Sequence, residues 1–413
     1  MRKRWIVVLG LLFCAVAGVA VAGVVVWQDR KPPGSILGTP SVEFVTTDAP
    51  GAIVRPEEVV REIPWPTYKF DDARTYFASD FHHRPPYRVL WSRSARSVVE
   101  FPPVVAYGRL YFSNLGGRVL ALDGKTGKID WVNNFDRCTA ASPAVGDGVV
   151  YQPFMDRHPC NPHDKSQPGY MVALDADTGK ELWRFRTGVI ETSPLLIGDI
   201  LYFGAWDGNL YALDVKTRKP RWTFSAGGEL KGGPAYSKGT IFFGSYDNRV
   251  YAVDAGTGKL RWSASGEANF YSTPAVAYGR VYIGNTDGRV YAFGAKSGNL
   301  LWATSTGSYV YSGPAVWNKT VYAGSHSNRL FALDAGSGRV RWTFDAGDVV
   351  AGSPGVMEGI VYVSTRGKTY GLDARTGQRV WDFRDGRYSP LLADEDRVYI
   401  TGWKTIYGLA PRR

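Results

Sequence analysis

The stretch "ALDGKTGKIDW", Ala121 to Trp131, returns along the chain at a nearly fixed interval. "ALDADTGKELW" ends at Trp183, "ALDVKTRKPRW" at Trp222, "AVDAGTGKLRW" at Trp262 and "AFGAKSGNLLW" at Trp302. "ALDAGSGRVRW" ends at Trp342, "GLDARTGQRVW" at Trp381, and a degenerate copy, "PPYRVLW", at Trp91. Successive tryptophans are 40, 52, 39, 40, 40, 40 and 39 residues apart. Self-similarity at this period marks a solenoid, a propeller or an array, whose units bury their apolar faces against one another.

One unit, "SPLLIGDILYFGAWDGNLYALDVKTRKPRWTF" from Ser193, holds four short apolar or alternating runs. Turn signals at 198–199, 207–208 and 214–218 divide them. Such runs, rich in Leu, Ile, Tyr and Phe, read as strands, and the 3.6-residue spacing of a helix is missing. Each unit is therefore expected to be a four-stranded antiparallel blade with strands A to D joined by hairpins. The repeated Asp (123, 175, 214, 254, 334, 373) suits an Asx turn between C and D. The repeated Gly (127, 179, 258, 298, 338, 377) permits positive φ there. The tryptophan supplies an apolar plate with one N–H in need of a partner, placed to dock each outer strand on the next blade. These are structural positions; near-copies in every unit do not make an active site.

The copies resemble the repeats of the PQQ-like (pyrroloquinoline-quinone) β-propellers, from Trp65 to the C-terminus. That superfamily includes quinoprotein alcohol dehydrogenases and BamB-like assembly propellers without enzymatic activity, so the resemblance implies a fold and leaves the function divided. "WPTYKFDDARTYFASDF", from Trp65, resembles the segment before the first blade of quinoprotein propellers and is expected to be a loop packed on the ring.

The A–B–C portions begin at Pro102, Ser142, Ser193, Gly233, Thr273, Gly313, Ser353 and Ser389. The last lacks its D strand, and "YRVLW" at Tyr87–Trp91 is a D strand without a blade. The two complete each other, which predicts an eight-bladed, all-β ring whose final blade takes its outer strand from the N-terminal side. In such meanders the C–D turns share one face, here the bottom. The D–A loops and B–C tips share the other, the top.

An uninterrupted apolar run extends from Trp5 to Trp27 behind Arg2, Lys3 and Arg4. It is long enough to cross a bilayer, and the bases place the N-terminus in the cytoplasm. The expected organisation is a tail (1–4), a retained transmembrane helix (5–27), an extended linker (28–62) and the propeller (63–413). The chain would then be single-pass in the cell membrane, with the ring extracytoplasmic. A cleaved signal peptide is the alternative.

The 52-residue step reflects an insertion, "MDRHPCNPHDKSQP", in the B–C loop of the second blade. Cys160 within it and Cys138 in the preceding D–A loop share the top face, and an oxidising compartment predicts a disulfide between them. The weaker alternative is a metal site at His158, Cys160 and His163, whose spacing matches no zinc pattern. The formal net charge of +11 favours anionic partners, among them an anionic envelope polymer. Nucleic acid is disfavoured for lack of a recognition motif.

The resemblance implies that a quinoprotein would need a quinone and Ca²⁺ with carboxylate and amide ligands. The chain has no adjacent cysteines and few acids near the top centre, Glu100 and Glu191 being the clearest. Triad, HExxH, Walker and dinucleotide motifs are missing as well, so no enzyme, cofactor or metal is expected. The top face instead displays Glu191, Lys231, Tyr271, Tyr311 and Tyr388 before the A strands, with Trp206, Tyr246 and Trp403 at the B–C tips. Aromatics interspersed with charge suit a binding surface. The expected function is a protein-binding or scaffold module of the cell envelope, with a quinoprotein oxidoreductase or a ligand sensor as rivals.

Overall fold

The computed structural model describes residues 63–156, 167–387 and 391–412, which lie within one compact unit, Val60–Arg413. They form eight four-stranded antiparallel sheets, in the order that the repeat predicts. Blades 1 to 7 span 104–134, 144–187, 195–225, 235–265, 275–305, 315–345 and 355–383. Blade 4 is representative: A is Ala235–Ser237, B Thr240–Gly244, C Arg249–Asp254 and D Leu260–Ser265. Strands B and C lie between neighbouring blades on both faces, so they are apolar almost without alternation and buried. Strand D is the rim and stays largely open to solvent.

Blade 8 closes the ring as expected. Leu392–Ala393, Val398–Thr401 and Thr405–Pro411 are completed by Tyr87–Ser94, paired antiparallel from Tyr87 opposite Pro411 to Ser94 opposite Thr405. Among the described residues there is no helix, and none long and apolar enough to cross a membrane. The apolar run at 5–27 lies outside them.

The tryptophans join blade to blade. In blade 4, Trp262 pairs with Ala252 but Leu260 with Val253, so Arg261 is an extra residue in the outer strand. The same shift precedes the other repeat tryptophans. A bulge bends and twists an edge strand, which turns the indole toward the next blade and blunts the exposed edge. Trp131 and Trp262 each donate to an alanine carbonyl in the next blade's C–D turn, Ala176 and Ala295, both at 2.9 Å. Trp91, Trp222, Trp302 and Trp342 do the same to Gly124, Ala255, Ala335 and Ala374. In blades 1, 3, 5 and 6 a strand-B tyrosine (Tyr111, Tyr202, Tyr282, Tyr322) donates to the same carbonyl as its blade's tryptophan. The indole also lies on the turn glycine: a Cβ on Gly258, at φ +70°, would stand 2.7 Å from Trp222. Blade 3 departs, carrying Arg218 at φ 60° where the other turns have glycine.

Candidate functional site

The site is built on a closed floor. The inner A strands are two or three residues long and turn an unpaired edge to the ring's axis, where each amide needs a partner. Residues 65–78 supply them from within the ring in blades 1, 2, 4, 5, 6 and 7. Trp65 pairs with Val105 in both directions at 2.9 Å, and Val145 donates to Pro66 O. Tyr236 donates to Asp72 O, Val276 to Ala73 O, Val316 to Thr75 O and Val356 to Tyr76 O, at 2.7–2.9 Å. The segment expected as a loop on the ring is thus a plug inside it.

Its side chains point to the prolines at the head of the A strands. Lys69 Nζ donates to Pro314 O at 2.7 Å, Arg74 Nε to Pro234 O at 3.0 Å and Arg74 Nη2 to Pro194 O at 2.9 Å. Tyr68 shares a hydrogen bond with Ser353 Oγ. Lys69 and Arg74 are fully buried, and burial pushes the Lys69 ammonium well below its ordinary value and Arg74 down to about 10.

Above this floor, the D–A loops follow one pattern. Ile190, Leu230, Phe270 and Val310 are buried anchors. Space for the last three is left by glycines on strand B: a Cβ on Gly204, Gly244 or Gly284 would meet Leu230, Phe270 or Val310 at 2.4–2.6 Å. Residues on either side of an anchor in extended chain face the opposite way. The residue before the anchor accepts a bond from the B–C tip of the same blade: Trp206 N to Val189 O, Tyr246 N to Glu229 O and His326 N to Tyr309 O, at 2.9–3.0 Å. This bond sets each tip beside the residue after the anchor.

Six of the expected binding residues come together in this way. Glu191 accepts from Tyr271 OH at 2.6 Å and from Trp206 Nε1 at 3.1 Å. Lys231 Nζ lies over the rings of Trp206 and Tyr246, 4.1 and 4.7 Å from their centroids, and 3.2 Å from Glu229 Oε2. Ring centroids then step 6.2 Å from Tyr246 to Tyr271, 4.7 Å to Tyr311 and 5.8 Å to Tyr309, with His326 edge-on to Tyr311. The result is an aromatic arc over blades 3 to 6 with a carboxylate at one end. Burial raises the Glu191 carboxyl, and it raises Glu100, which also feels Glu191.

Trp206 was expected to be exposed, but only 7% of its surface is. It packs with Val189, Met155, Ala140 and Cys138, so it serves as a wall of the site. Trp403 belongs to a separate contact on blade 8, with Arg387 Cζ 3.4 Å from its ring centroid. Tyr388 lies outside the described residues. Cys138 is buried and disulfide-bonded, while Cys160, His158 and His163 lie outside the described residues. Sequence reading missed Tyr309, Glu229 and the axial pair Lys69 and Arg74. The alternation around Val310 would have found Tyr309.

The fold family implies a calcium-held quinone, and the donor set does not fit one. A calcium ion takes six to eight oxygen ligands, drawn from carboxylates, backbone and amide carbonyls and water. Among the described residues, no group of three or more His, Cys, Asp or Glu is placed to hold a metal. Glu191 is engaged by Trp206 and Tyr271, and Lys69 and Arg74 in the floor offer donors, already bonded to proline carbonyls, where a cation needs acceptors.

Known proteins divide in the same way as the resemblance. The family described as outer membrane protein assembly factor BamB matches residues 164–231, 207–310 and 286–404. The β-propeller domain of glucose/ethanol/alcohol dehydrogenases matches 88–190. The chain is 29% identical to quinohemoprotein alcohol dehydrogenase ADH IIB of Pseudomonas putida over 29% of its length and 18% of that protein's. It is 26% identical to BamB of Burkholderia pseudomallei (strain K96243) over 33% of its length and 38% of that protein's. These stretches cover well under half of either relative. Among solved structures, BamB from Moraxella catarrhalis has a TM-score of 0.62 at 17% identity, covering 80% of this chain and 99% of that one. Quinohemoprotein alcohol dehydrogenase from Comamonas testosteroni has 0.70 at 16%, covering 84% and 81%. At such identities the structures speak for the fold alone.

Proposed function

This chain belongs to the PQQ-like β-propeller superfamily, and from that premise we propose that it works as a non-enzymatic, protein-binding scaffold of the cell envelope. The observation that carries the reading is the floor. Where an enzyme would need an open axial pocket with cofactor ligands, Lys69 and Arg74 fill the axis, fully buried and bonded to three proline carbonyls. Above it lies a surface of aromatic faces with few charges, the composition of contact hot spots. Kinship with an assembly factor supports the same side of the family.

In this proposal residues 5–27 are a retained membrane anchor, the ring is extracytoplasmic, and Cys160 is the partner of Cys138. Alkylation of protein from its native compartment should leave both thiols unlabelled; two free thiols would remove the pairing.

The test of function is capture from solubilised membranes with the ring as bait. Tyr271→Ala with Tyr311→Ala should weaken capture while melting stays close to wild type. Charge reversal at Lys125 and Lys216, both in C–D turns, should leave capture intact. Capture lost only through the bottom changes would reverse the faces. The dehydrogenase reading rests on ADH IIB. Dye-linked alcohol oxidation after reconstitution with PQQ and Ca²⁺ would establish it and overturn the scaffold.

A further inference from the structure

The aromatic arc has a chemistry narrower than "protein contact". Its four tyrosines follow one another at centroid steps of 4.7–6.2 Å, comparable to the advance of one pyranose along a chain, the inner three half-buried and the last open to solvent. Tyr309 and Tyr311 are near-parallel, 14° apart, and Tyr309 is 51% exposed. At the Glu191 end the polar groups are mixed in sign. Lys231 is answered by Glu229 at 3.2 Å, and the Glu191 carboxylate has accepted one bond on each oxygen, with lone pairs remaining.

A neutral, polyhydroxylated ligand is what such a site takes. The apolar C–H face of a sugar ring packs on an aromatic face, and its hydroxyls need donors and acceptors side by side. An anion would find Lys231 already paired. An extended peptide would need main-chain partners. The turn amides of the B–C tips are already committed, Asn209, Arg249 and Arg289 donating to Asp207, Asp247 and Asp287. We propose that the arc from Glu191 and Lys231 through Tyr246, Tyr271 and Tyr311 to Tyr309 is a binding platform for a neutral oligosaccharide chain. It goes beyond the scaffold reading and does not depend on it.

Purified ring is titrated with a soluble chito-oligosaccharide and with cello-oligosaccharide, by calorimetry and by indole fluorescence, which Trp206 beside Glu191 reports. Saturable binding of at least one is expected. Tyr309→Ala, at an exposed position that leaves folding alone, should weaken it about ten-fold, and Tyr271→Phe less than Tyr271→Ala because the ring face is kept. Lys125→Glu on the bottom face should change nothing. Absence of binding to both sugars overturns the proposal, as does binding indifferent to Tyr309 and Tyr271. Arc-dependent binding of a basic peptide in place of either sugar also overturns it. Sugar binding with no protein captured from membranes leaves the platform standing and removes the scaffold; the converse does the opposite.

Discussion

Two residues of blade 4 separate the conformational from the packing role of a turn glycine. Gly239 and Gly258 have φ of +72° and +70°. A Cβ on Gly239 would meet only the end of Arg261 at 3.8 Å, whereas one on Gly258 would stand 2.7 Å from Trp222. Gly239→Ala should therefore cost about 1 kcal/mol, the strain of a left-handed residue. Gly258→Ala should cost about 1–3 kcal/mol more, since the indole of the neighbouring blade must move. Urea unfolding of both variants measures the difference, and equal losses would show that the indole bears nothing between blades. The turn aspartates add a pH dependence. Hydrogen bonds from Arg261, then Thr257, hold the Asp254 carboxyl down from 3.8 to about 2. At Asp334 burial is the largest single effect and opposes the shift, and the bonds from Arg341 and Ser337 together outweigh it, again to about 2. A carboxyl lowered on folding adds stability that is complete above its unfolded value and is lost as pH falls through the folded one. Melting temperature should thus drop between pH 3.8 and about 2, and the drop should shrink in Asp254→Asn with Asp334→Asn. The Asp, Gly and Trp of this motif were legible because they recur. The strand-B tyrosines that share the tryptophans' acceptors were not, since a tyrosine in a strand reads as ordinary core.

At the scale of elements, the strand Tyr87–Ser94 and the plug at 65–78 perform different tasks and can be removed separately. The strand completes blade 8, and the plug satisfies inner amides of blades 1, 2, 4, 5, 6 and 7. Removal of residues 1–62 should leave the melting temperature unchanged. Removal of 1–85 should lower it, because buried amides such as those of Tyr236 and Val276 lose their acceptors while closure survives. Removal of 1–95 should lower it further and expose the edge of Thr405–Pro411. If the last two truncations melt alike, the strand adds nothing beyond the plug. The closing strand could be read from the sequence because "YRVLW" lacked a blade and the final blade lacked a strand. The plug could not. Its contacts are main-chain bonds to strands far apart in sequence, and main-chain bonding leaves no side-chain pattern. The binding arc was half legible: topology placed Glu191, Lys231, Tyr246, Tyr271 and Tyr311 on one face, but only packing shows Trp206 as a wall and Trp403 engaged by Arg387.

For the whole molecule, the question is whether eight blades are a count or merely a length. In an open array each unit contacts only its neighbours, so stability grows by increments and one unit can be removed. Here the ends meet, and a single segment measures the interior. Asp72, Ala73, Thr75 and Tyr76 accept in turn from blades 4, 5, 6 and 7, a register that fixes the angle between successive blades. Deleting residues 263–302 removes one 40-residue period and keeps every remaining motif intact. Trp262 would still precede a turn of the right sequence, that of blade 6, so each local junction could form. Closure of seven blades would need wider angles, and Thr75 and Tyr76 would then miss Val316 and Val356. The deleted chain should therefore leave unpaired strand edges and associate through them, and gel filtration should show oligomers or aggregate. A monomer that melts cooperatively near the wild-type temperature would mean that the angle adapts and that the plug follows the ring. In that case the plug should also tolerate Lys69→Met and Arg74→Met, because bonds that do not set the count need not be held in place.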